Sequence, residues 1–253
     1  MCTMTWFLKE HGYELFFNRD EQTSRSRADL PEIQSRDGIQ YISPTDADAG
    51  GTWIAVNEFG VSVCLLNHYE FEQIKTYKDW ISRGEIVRNF TTIHSITSAI
   101  SKFNKTELAN YRAFRMFVIE PNGQNVLFIW DGHQAKIQRN VSTPKSSSSV
   151  NAKHVKANRK QYFKDLNLYE STETNDYLKF HRSHSPTMSE QSVCMHREDA
   201  NTVSLSHIRV NSKTASFAYT DGSPCQSEFG PLIEIKLIEQ ADQNATPIVA
   251  AVR

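Results

Sequence analysis

The sequence predicts an α+β fold in which strands pair as antiparallel hairpins and helices form separate blocks. Apolar segments occur as neighbouring pairs joined by turn residues, and residues 114–120 and 125–130 around Pro121-Asn122-Gly123 are the clearest case. Segments with helical periodicity lie between these pairs and do not alternate with single strands. This order is typical of antiparallel sheets with segregated helices, not of a doubly wound parallel sheet.

The strands are predicted from β-branched and aromatic residues bounded by turn residues. The first pair is joined at His11-Gly12, and residues 61–66 are apolar enough for a buried central strand. The predicted strands are residues 2–8, 12–17, 52–56, 61–66, 114–120, 125–130, 134–138, 202–209, 214–219 and 232–238.

Three segments are predicted as helices: residues 82–103, about 151–166 and 173–182. In the first, apolar residues recur every three or four positions, which gives the helix one buried face. These residues are Ile86, Phe90, Ile93, Ile96, Ile100 and Phe103.

Two segments are predicted as loops. Residues 22–50 are polar and contain Pro31 and Pro44, and residues 146–149 are a run of serines. The chain after residue 240 is polar and is predicted to fray.

Composition restricts the possible classes of function. The 253 residues predict one domain over 1–253, and the formal net charge of −1 gives no sign of a nucleic-acid partner. No apolar run approaches the ~18–20 residues of a membrane span, and the N-terminus lacks a secretory signal pattern. We therefore expect a cytoplasmic protein; the oligomeric state stays open.

The four cysteines are widely spaced and predict neither a disulfide framework nor a metal site. They are Cys2, Cys64, Cys194 and Cys225, and none belongs to a CxxC pair. Cys194-x-His196 together with Cys225 suggests zinc, but its spacing differs from that of common structural sites. The sequence therefore predicts no metal and no cofactor.

Cys2 is the candidate nucleophile. If Met1 is removed, Cys2 carries a thiol and a free α-amine, whose pKa near ~7.7–8.0 suits a general base. A nearby guanidinium such as that of Arg19 favours the thiolate. The alternative is that Cys2 is a small buried hydrophobic residue and that 18–21 form a solvated turn.

Short segments within the first ninety residues carry a family resemblance. They are Met1-Cys2-Thr3, Phe17-Asn18-Arg19-Asp20-Glu21-Gln22, Ser24-Arg25, Asp48-Ala49-Gly50-Gly51-Thr52-Trp53-Ile54-Ala55, Cys64-Leu65-Leu66-Asn67 and Ser82-Arg83-Gly84. On these residues the chain resembles the NRDE family, which includes the transport-and-Golgi-organisation proteins. It is more distantly similar to choloylglycine hydrolases and penicillin acylases, which are N-terminal-nucleophile hydrolases. The resemblance implies a four-layer αββα sandwich.

The resemblance also implies a set of site residues. Cys2 is the nucleophile, Arg19 lies beside it, and Asn67 at a strand end helps to bind the oxyanion. Asp20 is preferred over Glu21 as the acidic partner. Strand alternation nevertheless directs the Asp20 side chain to the face that Asn18 occupies, and Arg19 to the other face. Asn18 and Glu21 are expected to contact substrate. A second asparagine of the similar hydrolases corresponds to 146–149, where this chain has only serine.

Two functions remain open. The first is a cysteine N-terminal-nucleophile amidohydrolase or acyltransferase that acts on a small non-peptide amide after loss of Met1. The alternative is a non-enzymatic binding or trafficking module for haem, lipid or a secretory-pathway role on the same scaffold. The mixed charges of residues 22–50 predict a polar pocket entrance and a substrate that is polar or zwitterionic at one end.

Overall fold

In the computed structural model, which describes residues 2–71 and 80–238, two antiparallel sheets pack face to face. The strands are β1 (Cys2–Lys9), β2 (Gly12–Gln22), β3 (Asp29–Arg36), β4 (Ile39–Thr45), β5 (Ile54–Asn57), β6 (Ser62–Asn67), β7 (Phe114–Ile119), β8 (Asn125–Trp130), β9 (Ala135–Arg139), β10 (Lys145–Ser147), β11 (Ala200–Val210), β12 (Thr214–Asp221) and β13 (Ile233–Lys236). The helices are α1 (Arg83–Phe90), α2 (Ile96–Asn104), α3 (Ala152–Asp165) and α4 (Thr174–Arg182).

The strand order separates the chain into two sheets. One sheet has the order β10-β1-β2-β11-β12-β13, and the other runs from β3 to β9 in chain order. Every pair in both sheets is antiparallel. The first sheet therefore places the N-terminal hairpin β1–β2 in its middle, covered on both edges.

Three apolar clusters define four layers. Met4, Phe17 and Phe117 belong to the cluster between the sheets. Apolar residues of α1 and α2 cover the outer face of the β3–β9 sheet, and those of α3 and α4 cover the outer face of the other. The arrangement is an αββα sandwich, which confirms the predicted fold class. In the part of the chain that the structure describes, no helix has the length and apolar content to cross a bilayer.

The prediction of a loop over residues 22–50 is wrong, because β3 and β4 form a hairpin there. Its turn is Asp37-Gly38, and both residues have positive φ, as a tight hairpin turn requires. The two prolines are tolerated because β3 is an edge strand and its ladder with β4 shifts register between Asp29 and Glu32. The turn residues Asp37-Gly38 are therefore a better guide to this segment than its two prolines.

The prediction of one helix over 82–103 is also wrong, because α1 and α2 are separate. Ser95 caps α2 in a reciprocal capping box with Ser98. The buried Asn57 amide donates to the carbonyls of Thr91 and Ile93 in the break, at 2.9 and 2.6 Å. Both carbonyls are therefore hydrogen-bonded although the helix is interrupted, and the apolar spacing continues across the break.

Two further corrections concern the first sheet. The predicted loop 146–149 overlaps β10, which pairs with β1. The strand predicted over 12–17 continues to Gln22, so Asn18 to Glu21 lie in a strand and not in a turn. The other predicted strands and helices agree with the structure to within a few residues. Met1 and the chain from 239 onward lie outside the described residues.

Candidate active site

Cys2 lies at the start of β1 and faces the space between the two sheets. Its cross-strand partners are Arg19 of β2 and Ser147 of β10. Directly opposite residues of antiparallel strands share a face, so all three side chains are directed the same way. Cys2 is half-buried and packs against the inter-sheet core. Strand pairing thus brings together three residues that are distant in sequence.

A polar cavity of about 370 Å³ opens at Cys2. Among the residues that line it are Cys2, Arg19, Asp20, Glu21, Asn67 and Arg83. The four residues predicted as catalytic are in this set, and so is Glu21; their chemical roles stay predictions. The cavity is formed where the ends of β1, β2 and β6 meet the start of α1.

The Arg19 guanidinium is held in one position by charge and by an aromatic ring. Its Nη2 donates to Asp46 Oδ2 at 2.7 Å and to Glu21 Oε2 at 3.3 Å. The guanidinium carbon lies 4.1 Å from the centre of the Trp53 ring. Arg25 binds the second oxygen of Asp46 at 2.6 Å. The predicted polar entrance therefore consists of a network of paired charges that fixes Arg19 beside Cys2.

Two of the family-like segments pack glycine against glycine to build the cavity wall. A Cβ on Gly51 would lie 2.5 Å from the carbonyl carbon of Gly84, closer than side chains approach. The Thr52 N–H donates to the Gly84 carbonyl at 3.2 Å. This close approach places Trp53 and Arg83 on the same cavity, which explains why the chain needs glycine at both positions.

The Cys2 thiol is protonated at neutral pH in the chain that retains residue 1. Burial is the main cause that raises its pKa to about 11, and the charge of Asp20 adds to that effect. The positive charge of the N-terminal amine is the largest effect that lowers this pKa, and a hydrogen bond with the Asp20 backbone acts in the same direction as the amine. Reaction at neutral pH therefore requires a base close to the sulfur.

Two side chains can donate hydrogen bonds to a substrate oxygen: Asn67, which lines the same cavity as Cys2, and Ser147, the cross-strand partner of Cys2. Asn67 Nδ2 donates one of its two protons to the Tyr69 hydroxyl at 2.8 Å, and the second proton has no acceptor among residues 2–71 and 80–238. Ser147 is buried, and its hydroxyl has no hydrogen-bond partner within the described residues. A buried donor without a partner is costly, and a ligand oxygen relieves that cost.

Arg83 and Arg112 give the cavity a cationic wall. Arg83 Nη1 donates to the Ala113 carbonyl at 3.2 Å. Within residues 2–71 and 80–238, no carboxylate forms an ion pair with either guanidinium, in contrast to Arg19 and Arg25. The two groups are therefore suited to an anionic ligand.

The structure places Asn18, which was predicted to contact substrate, outside the cavity that Cys2 lines. Asn18 is fully buried on the opposite face of β2. Its amide donates to the carbonyls of His181 and Val193, and its oxygen lies 2.9 Å from His181 Nδ1. The side chain is thus committed to holding α4 and the segment after it against the sheet.

The Asp20 carboxylate also faces away from the Cys2 thiol. Oδ1 accepts from the Thr202 hydroxyl at 2.6 Å, and Oδ2 lies 3.6 Å from Nη1 of the buried Arg159. Glu21 is the β2 carboxylate that pairs with Arg19 inside the cavity. The choice between Asp20 and Glu21 as acidic partner of Cys2 therefore stays open, with Glu21 the one that reaches Arg19.

Sequence reasoning missed several residues of this cavity. Trp53 and Arg83 stand in segments that carried the family resemblance, so a signal was present for them. Asp46 was one charge among many in a predicted loop. Ser147 stands opposite Cys2 in the sheet but is not among the residues of the cavity wall, and it could be found only from the pairing of β10 with β1, which joins residues 145 positions apart.

Comparison with known proteins shows the family to which the chain belongs. The family model described as Transport and Golgi organisation 2 matches residues 1–227. The chain belongs to that family. The match confirms the resemblance seen in the sequence. No curated protein matches the chain in a direct sequence comparison.

Solved structures show what the fold is similar to. A Caenorhabditis elegans N-acylethanolamine-hydrolyzing acid amidase ortholog is 12% identical with a TM-score of 0.61, covering 91% of this chain and 100% of that one. Penicillin V acylase from Agrobacterium tumefaciens is 11% identical with a TM-score of 0.55, covering 93% and 86%. A mutant conjugated bile acid hydrolase from Clostridium perfringens is 10% identical with a TM-score of 0.53, covering 93% and 92%. The fold is that of the N-terminal-nucleophile hydrolases.

Proposed function

We propose that the protein is a cysteine N-terminal-nucleophile amidohydrolase or acyltransferase that acts on a small non-peptide amide once Met1 has been removed. The observation that carries this proposal is the pairing of Cys2 with Arg19 across β1 and β2, both directed into one polar cavity. The amide-cleaving enzymes of similar fold, at 10–12% identity, support the reaction class but not the substrate.

Removal of Met1 would turn the Cys2 backbone nitrogen into the missing base. The free α-amine takes the thiol proton, directly or through a water, and the sulfur attacks the carbonyl carbon of the amide. The C–N bond then breaks, and the amine leaves with that proton. Water or an acceptor amine attacks the resulting thioester, which releases the acyl group and restores the thiol.

The tetrahedral intermediate needs donors for its oxyanion. Among the described residues, Asn67 has one amide proton left after its bond to Tyr69, and the buried Ser147 hydroxyl is opposite Cys2 on β10. We assign these two side chains as the oxyanion donors. One such donor contributes about 2.7–4 kcal/mol to the transition state in acyl transfer. Ser147 would thus take the place of the second asparagine of the similar hydrolases.

The cavity also indicates a substrate class. Arg83 and Arg112 form no ion pairs with the described carboxylates, and both line the wall. An amide that carries a carboxylate or phosphate at one end would pair with them. This extends the predicted polar or zwitterionic substrate to an anionic one.

One observation favours the binding module as a second candidate. With residue 1 in place, burial raises the pKa of the Cys2 thiol to about 11, so the sulfur is a poor nucleophile at neutral pH. A chain that keeps Met1 would bind an anionic ligand in the same cavity without cleaving it. Processing of Met1 therefore separates the two functions.

The test combines intact mass with turnover. We expect the purified protein to be lighter by one methionine and Cys2 to react with thiol reagents before the other cysteines. A panel of acyl-amino-acid, penicillin and acyl-lactone amides is then compared between wild type and Cys2→Ala. Turnover by wild type alone supports the enzyme, whereas no turnover by either, together with retained Met1, supports the binding module.

A further inference from the structure

We propose that His184, Cys194, His196 and Cys225 bind one structural zinc ion on the outer side of the β1–β2 sheet. Their ligand atoms all lie within 4.8 Å of one another. Two thiolates and two imidazoles form a common ligand set of structural zinc sites. The cluster is separate from the Cys2 cavity, which none of these four residues lines.

Two of the sulfur-to-nitrogen distances within the cluster match those of a tetrahedron around zinc. Cys194 Sγ lies 3.5 Å and Cys225 Sγ 3.4 Å from His196 Nε2. With Zn–S near ~2.3 Å and Zn–N near ~2.0–2.1 Å, tetrahedral angles place sulfur and nitrogen about 3.5 Å apart. The His184 and His196 rings are 5.1 Å apart in an edge-to-face arrangement, so the rings do not stack over the site. The ligands would therefore need only small side-chain shifts to bind.

The His184 ring supplies an independent sign of a ligand. Its Nε2 is buried and has no hydrogen-bond partner in the described part of the chain. A buried polar nitrogen without a partner costs free energy, and a metal ion at that nitrogen removes the cost.

Backbone contacts hold the three segments that supply the ligands. His184 follows α4, and the Cys194 N–H donates to the Ser183 carbonyl at 3.0 Å, so the first two ligands are joined through the main chain. His196 is fixed by a bridge to Asn201, at the start of β11. Cys225 lies in a turn after β12 closed by Gln226 N–H to Ser223 O at 2.9 Å. A metal ion would join these three segments covalently.

Zinc is favoured over other metals by the donor set. A tetrahedral site of two sulfurs and two nitrogens suits zinc, whereas calcium and magnesium require oxygen ligands. With four protein ligands the site has no open position for substrate, so its role is structural. Binding converts the two thiols to thiolates, and each zinc ion therefore displaces about two protons.

Metal content is the first test. Wild type, His184→Gln and Cys225→Ser are purified without chelator and analysed by elemental mass spectrometry, with His154→Gln as control because His154 is exposed on α3. We expect about one zinc per chain in wild type and control, and at least about a tenfold lower content in the two variants. A wild-type protein free of metal after growth with zinc would overturn the proposal.

A second measurement does not depend on the variants folding. Wild-type protein stripped with a chelator under reducing conditions is titrated with cobalt, which reports ligands by its colour. We expect ligand-field bands of a tetrahedral site with thiolate-to-cobalt charge transfer, both lost on addition of zinc. An octahedral spectrum without charge transfer would overturn the proposal, as would a Cys194–Cys225 disulfide in peptide maps of protein isolated under reducing conditions.

Discussion

Near Cys2 both faces of the β1–β2 hairpin carry polar groups, but these groups differ in what they contact. On the cavity face, Cys2 and Arg19 line the cavity. Arg19 pairs there with the carboxylate of Glu21, whose side chain is 25% exposed. On the helix face, Asn18 and Asp20 are almost fully buried and bond to residues of the α3–α4 layer and of β11. One pair of strands therefore carries a site on one side and a structural network on the other.

This difference shows how a buried polar residue can be assigned a role. Groups on the helix face have protein partners: Thr5 Oγ1 lies 2.7 Å from His181 Nε2, and Arg159 Nη1 donates to Thr3 Oγ1 at 2.6 Å. On the cavity face, Ser147 is left without a described partner. Substitutions on the cavity face should change activity, and those on the helix face should change stability.

The largest effect is expected at the nucleophile. Cys2→Ala should lower turnover at least about 1,000-fold, because the covalent route is lost, while thermal stability stays close to that of wild type. Steady-state rates and a thermal melt measure both quantities. Cys64→Val is the matched control, since Cys64 is fully buried in the inter-sheet core and outside the cavity wall. Wild-type rates for Cys2→Ala would contradict the assignment of Cys2.

Arg159 offers the opposite test on the helix face. Arg159→Met keeps the apolar bulk but removes the cation near Asp20 and the bond to Thr3. We expect a loss of about 3–5 kcal/mol in the free energy of unfolding, because a buried pair broken on one side leaves an uncompensated charge. Urea unfolding measures it, with the exposed Arg139→Met as control. Equal midpoints for both variants would show that the network is not structural.

The separation of the two faces could be predicted from the sequence, because side chains alternate along a strand. Alternation placed Arg19 opposite Asp20 and put Asn18 with Asp20, and the structure agrees. The paired apolar segments also indicate antiparallel sheets independently of the family resemblance. These features depend on residues close together in sequence.

The rest depends on contacts between distant residues. Ser147 reaches Cys2 only through the β1–β10 pairing. Asp46 reaches Arg19 only because β3 and β4 form a hairpin, where the prolines favoured the prediction of a loop. Asn18 lies outside the cavity because the α3–α4 layer covers its face, which strand periodicity does not reveal. His184 lies close to Cys194 and Cys225 because of the paths of the loops that carry them, and no sequence pattern predicts those paths.

A smaller effect is expected from the pH dependence of His181. Burial lowers its pKa to about 3, helped by the nearby His207 and Arg159, so the native state keeps the ring neutral. The unfolded ring takes up a proton below ~6.5, so stability falls as pH drops from about 6.5 toward 3. His181→Gln should remove about 1.5 kcal/mol of the stability loss between pH ~6.5 and ~5. Unfolding by urea at each pH measures it.

The control for His181 is the exposed His133→Gln, which should keep the wild-type slope with pH. The variant will also be less stable at every pH because Thr5 and Asn18 lose a partner. The slope, not the absolute stability, is therefore the quantity that decides. Parallel curves for wild type and His181→Gln would contradict a neutral buried ring.

The smallest effect is expected at the cationic wall of the cavity. Arg83→Gln removes a charge but keeps donors, so folding should be preserved and KM for an anionic amide should rise about tenfold, or about 1.4 kcal/mol. A neutral analogue of the same amide should show no change in KM with this variant, which separates charge recognition from a distorted cavity. Arg112→Gln should act in the same direction, since both guanidinium groups line the same wall. If KM rises equally for the anionic and neutral amides, Arg83 shapes the cavity and does not bind the anion.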